Sequence, residues 1–277
     1  MDKHDSMKLA TVVVAYHPTA KVLENIASYA AASDELYVWD NTPGGSPLLA
    51  GLATGIVLHH EHTNMGLGYA YNRAMEHALE AGCTHLMTMD QDSRFEDFAN
   101  YRRQAAECTD EKIAIFTPPV NHDIDSPGYR YRIPCQSGSI FPLQILKSIG
   151  GFREDLFIGM VDAEISLKAS ERGYKIYQVV GCNLAHEIGS GRKVKRFGKT
   201  VEVSDYSPLR HYYDSRNRIL LWHEFPYDAD RRFKRQMLAN RMKTVVKIAL
   251  FESHKYAKIK AIVRGICNGL RNRAIPY

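Results

Sequence analysis

Four short apolar runs, separated by stretches patterned for helix and each stopping at polar residues, constrain this chain more than any other feature. Residues 9–16 (Leu-Ala-Thr-Val-Val-Val-Ala-Tyr) are rich in β-branched side chains and end at His17-Pro18, which reads as a strand buried on both faces. Residues 20–32 set Val22, Leu23, Ile26 and Tyr29 at helical spacing. Leu36-Tyr37-Val38-Trp39 is a second strand, stopping at Asp40-Asn41 before the turn Thr42-Pro43-Gly44-Gly45. Residues 55–60 form a third strand, a loop from Asn64 to Gly68 opens a helix over 69–81, and residues 85–89 form a fourth strand. This cadence predicts an α/β fold with a mostly parallel, doubly wound sheet, whose ligands bind beyond the carboxyl ends of the strands where strand order reverses.

The polar residues fall where that rule asks. Tyr16 follows strand one, Asp40 strand two, Asn64 and Gly66 strand three, and Asp90-Gln91-Asp92 strand four. Alternate residues of an extended chain share a face, so Asp90 and Asp92 point one way and Gln91 the other. Two oxygen donors on one side suit a hard cation such as Mg²⁺ or Mn²⁺, while a solvated turn explains the same doublet without one. A carboxylate at Asp40 can accept from a ribose hydroxyl or a base imide N–H. The loop 64–68 lacks the third glycine of a dinucleotide fingerprint and follows the wrong strand, so NAD is not indicated.

Charge divides the chain. Residues 231–277 hold 13 Lys and Arg against one acid, Glu252, which is +12; subtracted from the chain's +5 this leaves −7 for the rest. No run approaches the roughly 18 apolar residues of a membrane span, and Met1-Asp2-Lys3-His4-Asp5 lacks a signal peptide's apolar region. A cytoplasmic protein is expected. Five scattered cysteines indicate neither a disulfide framework nor a zinc site.

Taken in order, Val12-Val13-Val14-Ala15-Tyr16, Trp39-Asp40-Asn41, Asn64-Met65-Gly66-Leu67-Gly68 with Asn72, and Met89-Asp90-Gln91-Asp92 resemble the nucleotide-binding half of family 2 glycosyltransferases of the GT-A fold. The wording Met-Asp-Gln-Asp-Ser-Arg-Phe is most similar to bacterial rhamnosyltransferases that use dTDP-L-rhamnose, and the resemblance covers roughly residues 8 to 225. It implies a Rossmann-like GT-A catalytic domain over residues 1–226, a basic helical appendage over 227–277, and a metal-dependent, inverting sugar transfer in cell-surface polysaccharide synthesis. Tyr16, Asp40, Asn64, Gly66, Asn72, Asp90 and Gln91 would then bind the nucleotide sugar, and Asp92 would hold Mn²⁺ or Mg²⁺ against the diphosphate.

The second half should carry the acceptor and the base. Residues 113–117, 129–133 and 137–141 read as β segments, and the resemblance sets Ser137 and Gly138 against the donor sugar, while a plain turn is the alternative at Ser139. A helix over 161–172 starts with Asp162 and Glu164. Acids there offset the helix dipole; the resemblance makes Asp162 the base that deprotonates the acceptor hydroxyl and gives Glu164 the acceptor side. Gly159 departs from the rhamnosyltransferases, which carry Asp at that place. After a strand at 176–180, His186 stands where the family has a metal ligand, and imidazole suits Mn²⁺ better than Mg²⁺. Residues 189–199 read as a mobile basic loop. The segment 211–218 matches a Tyr-Tyr-x-x-Arg-Asn pattern in which Tyr213 and Arg216 grip phosphate, with packing of the tyrosines as the competing account.

The tail reads as two amphipathic helices with basic flanks. It can rest on the inner face of an anionic membrane, fitting a saccharide or lipid-linked acceptor, or pack on the catalytic domain or a second copy in a homo-oligomer. No recognition motif supports nucleic acid as a partner. Two other functions share these features: a nucleotidyltransferase, which would need a basic Gly-rich loop after strand one, and a non-catalytic nucleotide-sugar-binding or membrane-scaffold protein.

Overall fold

The computed structural model describes residues 7–52, 56–122, 128–130, 134–187, 192–196, 199–225, 231–273 and 275–277. It divides into two compact units. The first comprises Met1–Glu154 and Val161–His186, the second Asp155–Met160 and Glu187–Tyr277. The sequence placed its boundary at 226/227, inside the second of these.

The first unit runs β1 (Leu9–Ala15), α1 (Ala20–Ala30), β2 (Glu35–Asp40), β3 (Ile56–His60), α2 (Leu67–Glu80), β4 (His85–Asp90), β5 (Ser93–Glu96), α3 (Phe98–Glu107), β6 (Ile113–Thr117), β7 (Gly128–Arg130), β8 (Ser139–Pro142), α4 (Leu143–Ser148), α5 (Val161–Glu171), β9 (Lys175–Gln178) and β10 (Asn183–His186). Eight strands form one sheet in the order β3-β2-β1-β4-β8-β6-β9-β7. β8 is antiparallel to β4 and β6, and β7 to β9, while the remaining neighbours pair parallel. The expected mostly parallel α/β sheet is present. Every residue of β1 is buried, as its unbroken apolar run requires. Residues 131–133 and Gly55, read as strand, lie outside the described residues.

Chain order reverses between β1 and β4: the chain leaves β1 toward β2 and β3, then returns to β1's other side. The end of β4 therefore lies beside the end of β1, with Asp90 level with Val14. A second, two-stranded ribbon joins β5 to β10 antiparallel, setting His186 opposite Ser93 and Leu184 opposite Phe95. The sequence reading missed β5, because Ser93-Arg94-Phe95-Glu96 alternates too briefly to register as a strand.

The second unit contains β11 (Arg192–Arg196), β12 (Lys199–Val203), α6 (Pro208–Glu224), α7 (Arg231–Phe251) and α8 (Lys255–Leu270). β11 and β12 pair antiparallel, so the expected basic loop at 189–199 is in its described part a hairpin; residues 188–191 and 197–198 lie outside the described residues. α6 begins at Ser207, whose hydroxyl accepts from the Arg210 N–H, with Pro208 at the first helical position. It packs tightly on α8. A Cβ at Gly265 would run into the Tyr212 carbonyl, and one at Gly269 would lie 2.6 Å from Ile219 Cβ, so only a side-chain-free stripe permits the approach.

Candidate active site

The β5–β10 pairing and the end of β4 bring Asp90, Asp92 and His186 together, with one ligand atom of each within 4.8 Å of the others. Among the described residues this is the one group of three or more such side chains. Asp92 Oδ1 stands 3.2 Å from His186 Nδ1 and is buried without a hydrogen-bond partner. Neighbouring and opposed ligands of a divalent ion bound at about 2.1 Å lie about 3 and 4 Å apart. Two carboxylates and an imidazole at this spacing, one oxygen being orphaned, thus fit Mn²⁺ or Mg²⁺. Asp90, expected beside the ribose, thus stands with Asp92 and His186, the two residues expected as ligands.

His186 is fixed from several sides. Its backbone N–H donates to Asn121 Oδ1 (2.9 Å) and its carbonyl accepts from Asn121 Nδ2 (2.9 Å). Its Nδ1 meets Ser93 Oγ at 2.7 Å. The Ser137 hydroxyl donates to Ser93 Oγ (2.7 Å) and accepts from the Asp90 N–H (3.0 Å). Ser137 is fully buried and braces the cluster through these two bonds.

Asp162 opens α5 and is half-buried, its Oδ1 accepting from the Ala163 N–H (2.8 Å). Asp90, Asp162 and Asp92 all act on Cys135, whose thiol is pushed up to about 12 by burial first and by these carboxylates next. Burial, then Asp90 and more weakly Asp162, hold the Tyr71 phenol well above its ordinary range. The base candidate and the metal cluster therefore share neighbours. Tyr71, Cys135, Ser93 and Asn121 were missed in the sequence, where each is an unremarked residue within a helix, strand or turn.

Several expected site residues turn out to have other work. Both oxygens of Asp40, 2 % exposed, accept from the loop that follows, from the Thr42 N–H at 2.9 Å and the Ser46 N–H at 2.6 Å. Asp40 thus shapes that turn. Gln91 faces away from the metal cluster and clasps Tyr16, accepting from its N–H (2.8 Å) and donating to its carbonyl (3.1 Å). This ties the ends of β1 and β4 and leaves the Tyr16 ring exposed. Asn64 Oδ1 accepts from the Gly66 N–H (2.9 Å), and Gly66 caps α2 at φ +85°. Asn72 is taken up by Phe152, accepting from its N–H and donating to its carbonyl, both at 2.8 Å. Gly138 packs behind the cluster, where a Cβ would lie 2.9 Å from Pro118 Cγ. Glu164 is 1 % exposed and paired with Lys168 at 2.9 Å, so it faces the interior and not an acceptor.

Tyr213 and Arg216 belong to the second unit. Arg216 is fully buried. It donates to the carbonyls of Ile275 (2.6 Å) and Asp155 and to Asn217 Oδ1 (3.0 Å), and lies over the Tyr213 ring. Tyr213 stacks on Phe157 and accepts from the Tyr277 N–H (3.3 Å). Their described contacts are those of packing, the competing account of this segment. Asn217 donates to the carbonyls of Leu156, Ile158 and Gly159 at 2.9–3.1 Å. The segment it holds carries Phe157, Gly159 and Met160 at φ +62°, +76° and +67°. A side chain at 159 would have to adopt a left-handed backbone that glycine accepts freely.

No family model matches the chain. The chain is 25% identical over 182 residues to the dTDP-rhamnosyl transferase RfbF of Shigella flexneri, a match spanning 57% of this chain and 60% of that relative. Among solved structures it resembles the mannosyltransferase PcManGT from Pyrobaculum calidifontis in complex with GDP-Man and Mn²⁺, with a TM-score of 0.60, 13% identity, and coverage of 97% of this chain and 88% of that one. It also resembles S. aureus TarS 1-349 in complex with UDP-GlcNAc, with a TM-score of 0.57, 15% identity, and coverage of 94% and 82%. The fold is the GT-A fold of glycosyltransferases, and the likeness to rhamnosyltransferases read in the sequence recurs in the curated relative.

Proposed function

We propose that the chain is a metal-dependent glycosyltransferase that moves a sugar from a nucleoside diphosphate to an acceptor hydroxyl with inversion. The observation that carries this reading is the cluster of Asp90, Asp92 and His186 at the switch point, with Asp162 acting on the same neighbours. The three ligands would hold Mn²⁺ or Mg²⁺, which when bound offsets the charge that develops on a departing diphosphate. Asp162 takes the proton from the acceptor hydroxyl as its oxygen bonds to the anomeric carbon and the bond from that carbon to the diphosphate oxygen breaks. With Asp90 and Asp92 taken up as ligands, Asp162 acts as a base alone, which makes this one displacement. Tyr16, exposed over the joined ends of β1 and β4, would pack against the base or ribose. The name of the curated relative favours dTDP-L-rhamnose as donor, and a saccharide or lipid-linked saccharide is the acceptor class.

A thermal-shift comparison of dTDP-, UDP- and GDP-sugars with and without Mn²⁺, paired with nucleoside diphosphate release, tests the reading. Metal-dependent stabilisation strongest with dTDP-L-rhamnose is expected. Asp92→Ala should abolish that dependence. Asp162→Asn should retain binding and lose about 10²–10⁴-fold in turnover. Binding of every nucleotide sugar without metal, or full turnover by Asp162→Asn, would overturn it.

A further inference from the structure

The two C-terminal helices each show two unlike faces. α8 turns Ala261, Ile262, Gly265 and Gly269 inward, the two glycines meeting α6. On the outside it leaves Tyr256 81 %, Ile259 37 % and Val263 54 % exposed. α7 exposes Met242, Val246 and Leu250, one turn apart along a single stripe. Beside these stripes stand the exposed cations Lys243, Lys247, Lys255 and Lys260. The one acid of residues 231–277, Glu252, is 4 % exposed and paired with Lys258 at 2.9 Å, so it contributes no negative charge to the outside. No helix among the described residues is long and apolar enough to cross a membrane.

We propose that the outer faces of α7 and α8 are a docking surface for an anionic lipid bilayer, the apolar stripes entering the headgroup boundary and the lysines meeting lipid phosphates. This rests on the second unit alone and not on the chemistry proposed above. Charge complementarity selects the occupant. A second copy seated on this face by a two-fold axis would bring cation against cation, with no exposed acid in the segment to answer it. Nucleic acid would meet the lysines but give the exposed Met, Val, Leu and Ile side chains nothing to bury against. A bilayer with anionic headgroups satisfies both kinds of side chain at once, as interfacial helices with basic flanks do.

Co-sedimentation of the full chain with phosphatidylcholine vesicles, with and without phosphatidylglycerol, tests the proposal. Binding to the anionic vesicles, weakened by salt, and little binding to the neutral ones are expected. Each basic residue near such a surface contributes about fivefold in partitioning, so Lys243→Gln with Lys260→Gln should weaken binding roughly 25-fold. Val246→Asp with Val263→Asp should remove it by taking away the apolar anchor. All four positions are exposed, so an unchanged thermal unfolding midpoint verifies that the variants fold. The proposal is overturned by equal binding to neutral vesicles, by wild-type binding of either double variant, by tighter binding to duplex DNA than to vesicles, or by self-association in sedimentation velocity that Val246→Asp abolishes.

Discussion

Ser93 has no charge, yet its hydroxyl is what meets the imidazole of His186, a candidate ligand. The hydroxyl already accepts from Ser137. It meets Nδ1, the same nitrogen that stands 3.2 Å from Asp92 Oδ1, and so orients the imidazole edge that faces the two carboxylates, as outer partners of metal-binding histidines do. Ser93→Ala should therefore lower Mn²⁺ affinity about 10- to 100-fold, read by titration calorimetry; unchanged affinity would sink this role for the serine. The Asp90–Asp92 doublet was legible because two carboxylates one residue apart close an apolar run, although Asp92 lies in the turn after β4 and not in the strand. The serine was not, since its partner lies 93 residues away and nothing local in Asp-Ser-Arg announces a tie to a histidine. The backbone contacts of Asp40, Asn72 and Arg216 were hidden for a different reason: a polar side chain looks the same in sequence whether it awaits a ligand or holds backbone.

At the scale of elements, periodicity carried most of the sheet. β1, β2, β4 and β9 were readable from apolar runs, and α1, α2 and α5 from helical spacing, because each meets a core on a fixed face. The β5–β10 ribbon was hidden by its length and mixed polarity, although it delivers His186 to the site. The α6–α8 contact was hidden too, since glycines spaced four apart in a basic tail resemble helix weakeners rather than a packing surface. Gly265→Val should destabilise the second unit by about 1–3 kcal/mol through overpacking against Tyr212 and Ser215. Thermal unfolding checks it, and a midpoint equal to wild type would show that α8 can shift away at little cost.

Across the molecule, two histidines make stability depend on pH in the same direction. His211, 2 % exposed, is lowered to about 4 by burial first and then by Arg241 and Lys258. His85, in the other unit, is lowered to about 4 by burial. Both are neutral when folded, and an unfolded chain would bind their protons near 6.5. Their contribution is therefore complete above about pH 6.5 and is lost as pH falls through the window from 6.5 to about 4. His211→Gln should flatten part of that slope in denaturant melts taken at successive pH values, and an unaltered slope would show that this histidine is not its source. The two units are also interleaved in the chain: it enters the second for residues 155–160, returns to the first, and leaves again at 187. Neither can be excised as one continuous piece. A fragment stopped at 186 would keep Leu156, Ile158 and Gly159 but forfeit Asn217, the donor to all three carbonyls, at the residues that lead directly into α5. Domain swaps among relatives would have to exchange both stretches together to carry the second unit over whole.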